Sequence, residues 1–234
     1  MKQLPKIQDI LFDLTIPSTG NKVKVRPFKV AEEKLLLSCA MTKDTKFIVD
    51  TIKQVIRNCI VTEPFDVDTL AMFDIEFLFI TLRAKSVNNI IPLEITEDGV
   101  TYKGELNIDE MKVIRSPEHT NKIMVTGDVG VIMKYPSLDL MEIFSDGNES
   151  EQNVFSVIVA CMEKIFDNDG LYIRGDDFDD KAADEFISSL PGSAMKKLMT
   201  FFETMPVVKA DVVLKGSDGS EKSFELKGLQ SFFR

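Results

Sequence analysis

The chain has no tryptophan, a single histidine and three cysteines, and each shortage removes a class of chemistry. Cys39, Cys59 and Cys161 are odd in number, far apart and set among apolar residues at helical spacing. They are expected to be free buried thiols, as suits a reducing cytoplasm, and not a disulfide framework. His119 has no cysteine pair near it, so it does not supply a zinc site of the usual kind. A Ser-His-Asp or Cys-His arrangement would have to use it, yet nothing in residues 116–121 reads as a nucleophile elbow. The polar stretch around it predicts a loose surface histidine. There is no Walker loop, no dinucleotide fingerprint and no pair of histidines on one helix. No apolar run approaches the roughly 18 residues of a membrane span, and the first residues lack the apolar core of a signal peptide. Cations are also short, 28 Lys and Arg against 38 Asp and Glu, for a net charge of −10. That balance argues against general binding of nucleic acid or an anionic membrane. The expectation is a protein that is not an enzyme and uses no metal or other cofactor.

What the chain does have is apolar bulk: 44% hydrophobic residues and 17 Phe in 234 residues. This composition predicts a folded body of one large or two small domains. Charge is unevenly spread. Residues 1–60 hold 11 basic and 6 acidic side chains, a net of +5, whereas residues 142–185 hold 3 and 13, a net of −10. Such opposite ends are either solvated faces or a means of steering copies and partners together.

Periodicity predicts an α+β fold. Residues 10–16 and 22–26 read as two strands around the turn residues Pro17, Ser18, Thr19, Gly20 and Asn21. Strict alternation puts Val23 and Val25 on one face of the second strand, with Lys22, Lys24 and Arg26 on the other. Helices are predicted from Ala31, over 45–61 and over 67–85, the last capped by Asp66 or Asp68 and apolar nearly all round. After Asn89 the period becomes two. Glu97-Asp98-Gly99 and Gly127-Asp128 mark two hairpins, so that residues 90–136 read as a compact antiparallel unit. Residues 145–150 are the linker candidate. Beyond it, helices are predicted over 154–166, 180–190 and 193–205, with Ser193 capping the last. Strands at 207–214 and 222–226 and a short apolar turn at 228–234 complete the pattern. The division expected is 1–89 (hairpin plus helices), 90–144 (antiparallel β unit) and 151–234 (helices with a terminal hairpin).

The acidic stretch Asp167–Gly170 invites a calcium reading. If Gly170 were the turn glycine of an EF-hand, the first ligand would fall on Ile165 and the last on Asp176, so Asp167–Gly170 reads as a tight turn. Residues 176–180 read as the acidic lead-in to a helix, favoured by its dipole. The Lys22, Lys24 and Arg26 face lacks the interleaved aromatics that stack bases and is expected to meet carboxylates, in this chain or a neighbour. The terminal Leu229, Phe232 and Phe233 either pack onto their own domain or dock into a neighbouring subunit.

The stretches "IPSTGNKVKVRPFKVAEEKLLL" (16–37), "FDIEFLFITLRAKS" (73–86), "FFETMPVV" (201–208) and "FELKGLQSFF" (224–233), in that order, resemble the baseplate hub family of T-even-like contractile-tailed bacteriophages. The resemblance runs nearly end to end and is weakest over 90–150. It implies a structural protein of the central hub of the virion tail baseplate, or a hub assembly chaperone absent from the virion. Other hub and tail proteins would be its partners, with room for several copies per particle, and assembly would take place in the host cytoplasm. The cysteine knuckle that some relatives carry in the final hairpin has no counterpart in "DVVLKGSDGSEKSF" (211–224), so no metal staple transfers. On this reading Lys22, Lys24, Arg26, Leu229, Phe232 and Phe233 are the candidate interface residues.

Overall fold

The computed structural model describes residues 7–42, 44–140 and 151–228. The fold is α+β, and the chain divides into two compact units, one of residues 1–114 with 207–234 and one of residues 115–206.

In the first unit, β1 (Phe12–Thr15) and β2 (Lys22–Val25) form the predicted hairpin, with Phe12 opposite Val25 and Thr15 opposite Lys22. Helices α1 (Val30–Ala40) and α2 (Thr45–Cys59) follow. Asp44 caps α2 by accepting from the Phe47 amide. The single helix expected over 67–85 is two pieces, a 3-10 turn at Val67–Thr69 and α3 (Met72–Ser86). Asp66 closes the short turn by taking the Asp68 amide, and Leu70 and Ala71 are then extended. The chain restarts as a helix where the Asp74 carboxylate accepts the Ala71 amide. As its all-round apolarity implied, α3 is the buried centre, with Ile75, Leu78 and Leu82 sealed from water.

The 90–144 unit expected from the alternation is not one sheet. β3 (Ile90–Glu97) and β4 (Val100–Asn107) form a hairpin around Asp98 and Gly99, both at positive φ as a two-residue primed turn requires. That hairpin joins β10 (Val207–Gly216) and β11 (Glu221–Lys227) in the order β11-β10-β4-β3, with β5 (Lys112–Ile114) also paired to β10. The last strands of the chain therefore complete the first unit. Alternation reports that a strand has two faces and is silent about its neighbour.

In the second unit, β6 (Lys122–Met124), β7 (Gly130–Met133), β8 (Met162–Phe166) and β9 (Leu171–Ile173) form one antiparallel sheet in that order. The helix expected over 154–166 ends at Cys161: α4 is Glu151–Cys161, and residues 162–166 are the strand between β7 and β9. Two open ladders claimed a segment whose apolar pattern suits either state. Asp167–Gly170 is the tight β8–β9 turn, in which the Asp167 carboxylate accepts the Asp169 and Gly170 amides. Helix α5 (Asp180–Ser188) is capped by Asp179. In α6 (Gly192–Thr204) the cap position is Pro191 and not Ser193; its carbonyl accepts from Ala194, and no side chain caps the end. Ile123, Val131, Met133, Ile158, Leu198 and Phe201 lie in the core of this unit.

Candidate functional site

The first of the stretches that carry the resemblance, residues 16–37, is occupied with holding the first unit together. Ser18, in the hairpin turn, donates its amide to Asp74 at 2.9 Å and its hydroxyl to the other carboxylate oxygen. Burial pushes the Asp74 carboxyl above its ordinary range, against the lowering effect of those hydrogen bonds. Arg26 makes a two-pronged pair with Glu32 at 3.0 and 3.1 Å, and Glu32 also accepts the Lys29 amide at 2.7 Å, closing the first turn of α1. Only 12% and 4% of the two side chains are exposed. Burial works to raise the Glu32 carboxyl, but the bonds from Arg26 and Lys29 outweigh it and hold it low. The Phe28 amide donates to Ser86, and the Phe28 ring packs on Phe79 with centroids 5.8 Å apart.

The three cations of the β2 stretch are therefore not equivalent. Arg26 is consumed inside the fold. Lys22 and Lys24 are exposed, and Lys24 has Asp13 across the hairpin at 4.0 Å. Leu229, Phe232 and Phe233 lie outside the described residues. Much of the positive excess of residues 1–60 is likewise engaged, Lys29 with Asp9 and both Lys53 and Arg57 with Asp68.

What the same region presents to solvent is apolar. Val30, Leu37 and Met41 are 65%, 68% and 91% exposed. Their spacing of i, i+7 and i+11 returns to one side of α1 at 3.6 residues per turn. The Lys29–Asp9 pair, at 2.8 Å, ties the segment bearing exposed Ile10 and Leu11 to the start of the same helix. The three consecutive leucines of α1 gave a signal of this, because an apolar run on a short helix exceeds what one buried face can hold.

His119 departs from the surface position expected for it: it is 6% exposed, in the second unit. Its Nδ1 lies 3.0 Å from the Thr204 hydroxyl and its Nε2 3.0 Å from that of Tyr135, and its ring lies against Tyr135 and Phe201. Thr204 spends its proton on the Thr200 carbonyl at 2.7 Å, so it accepts from Nδ1–H, and Nε2 accepts from Tyr135. Burial, aided by the Arg115 charge, pushes the imidazole pKa below 6.5. The ring is neutral, saturated with partners and held as a structural element. Its aromatic partners are 16 and more residues away in sequence, which is why its local setting misled.

The thiols are sequestered too. Burial raises Cys59 to about 11 and Cys161 to about 12, so neither is a thiolate at neutral pH. Among the described residues, no cluster of three or more His, Cys, Asp or Glu is placed to hold a metal ion, and no helix is long and apolar enough to cross a membrane.

A family model described as T4 bacteriophage base plate protein matches residues 8–234. No curated protein and no solved structure matches the chain.

Proposed function

Since the chain belongs to the T4 bacteriophage base plate protein family, we propose that it is a structural subunit of the central hub of the tail baseplate, acting through protein contacts and catalysing no reaction. A base plate protein works against other baseplate and tail proteins, and membership of the family supports a place in the virion tail baseplate. The hub position and the structural role are the finer reading. The hub position rests on the sequence resemblance, and the observation that carries the structural role is the division of labour in residues 10–41. Arg26, Glu32 and Ser18 are tied into the fold, while Val30, Leu37 and Met41 face outward. An exposed apolar stripe on a folded protein marks an interaction surface.

The competing role within the same family resemblance is an assembly chaperone that leaves before the particle is finished. Quantitative proteomics of purified virions separates the two. Peptides of this chain in fixed ratio to other hub proteins support the subunit; their absence from infectious particles, with presence in assembly intermediates, rejects it in favour of the chaperone. Release of peptidoglycan fragments by the pure protein would reject both non-catalytic readings.

A further inference from the structure

The sheet of the second unit has two faces, and the cross-strand register separates them cleanly. Ile123, Val131 and Ile165 stand opposite one another on the face that packs into the core, and Tyr172 continues the row at the sheet edge, where it is 40% exposed. The opposite face carries two rows, Met124, Gly130, Phe166, Leu171 and Lys122, Ile132, Lys164, Ile173. An antiparallel sheet with one wet side ordinarily alternates apolar inward and polar outward. Here the outward positions, two lysines apart, are apolar or glycine. Leu171, Met124 and Ile173 are 51%, 40% and 36% exposed. Gly130 lets the Phe166 ring lie flat over the strand, since a Cβ there would come within 2.1 Å of it. Lys122 covers that ring from above at 4.6 Å.

The charge on this face selects its occupant. The eight outward positions include no carboxylate, and the ion partner of Lys164 is its own chain neighbour Glu163, at 3.4 Å. A second copy docked through the same face would leave the lysines opposed to apolar groups or to one another. The β9 edge is closed to an added strand at Ile173, whose amide donates to Asp177 and whose carbonyl accepts from the Asp176 and Asp177 amides. On this face, recognition is left to the side chains that project from the sheet.

We propose that this outer face docks an acidic, apolar-faced segment of a neighbouring tail protein, with its carboxylates meeting Lys122 and Lys164 and its apolar side chains covering Phe166, Leu171 and Ile173. The proposal rests on the chain acting through protein contacts, and holds equally for a resident subunit and a transient factor.

The test is complementation of a phage whose own copy of this gene is disrupted, using plasmid-borne full-length variants. Leu171→Asp and the double variant Lys122→Glu with Lys164→Glu are expected to abolish plaque formation while melting at the wild-type temperature. Lys215→Glu, an exposed lysine of the first unit, is expected to complement. Revertants of the double lysine variant are expected to carry Lys or Arg in place of Asp or Glu in a different tail protein. Full complementation by both face variants, or revertants confined to this chain, overturns the proposal. So does binding of a single-stranded DNA or RNA oligonucleotide that disappears with the two lysines. Absence of the chain from finished virions would overturn the resident-subunit reading and leave these outcomes unaffected.

Discussion

Arg26 and Glu32 show how much a single residue pair settles in this fold. A guanidinium held in two-pronged fashion by a nearly sealed carboxylate cannot lose one member cheaply, because the survivor is a buried charge without its counter-ion. Glu32→Gln is expected to cost about 3–5 kcal/mol in urea unfolding, and the joint change of Arg26→Met with Glu32→Leu much less. His119 makes the complementary case. Its folded pKa lies below the 6.5 of the unfolded chain, so between the two values the unfolded state binds more protons. Its contribution is fully present above about pH 6.5 and is lost as pH falls through the folded value. As the sole histidine, it is the one side chain of ordinary pKa in that window. The melting temperature of the wild type is expected to fall from pH 7.5 to 5.5 more steeply than that of His119→Asn. Equal slopes would contradict the buried neutral ring. At this scale the sequence was half legible: the strand alternation gave the face of Val23 and Val25 but not that Arg26 turns inward, because the Glu32 that draws it there sits on another element.

Turns were the most readable elements, since their chemistry is local, whereas the cap expected at Ser193 falls on Pro191 and Asp66 closes only a short 3-10 turn. Asp98-Gly99 demanded a primed turn and makes one, with Gly99 at φ 80°. Gly99→Ala is expected to cost about 1–2 kcal/mol, read as a shift in denaturation midpoint with unchanged slope. Gly170→Ala, where φ is not positive and the added carbon meets nothing, serves as the control. Residues 162–166 were less readable. Met162, Ile165 and Phe166 satisfy helical spacing as continuations of α4, yet Lys164 and Ile165 are claimed by hydrogen-bonded neighbours on β7 and β9. A helix satisfies its own backbone, whereas a strand depends on partners that lie elsewhere in the chain.

Across the whole molecule, the first unit is closed by strands from the far end of the chain. β10 touches β11, β4 and β5, so it is an interior strand that joins the two hairpins of that sheet. Truncation after Pro206 is expected to abolish slow hydrogen exchange in β3, β4 and α3, because the sheet loses its middle and α3 a surface against which it packs. Retained protection there would mean that residues 1–114 fold without their last strands. The expected boundaries at 89–90 and 144–151 followed changes of local pattern, while the observed units follow pairing between residues a hundred apart.

The sequence alone determined the α+β class, the turns, the sealed character of α3, the free thiols and the base plate family. Each of these is written in local periodicity, composition or a run of neighbouring residues. Only the tertiary structure decided that His119 is buried, that Arg26 is spent on Glu32, that 162–166 is a strand and that β10 and β11 belong with β3 and β4. Those outcomes depend on which distant groups meet, and burial and pairing energies arise only when they do.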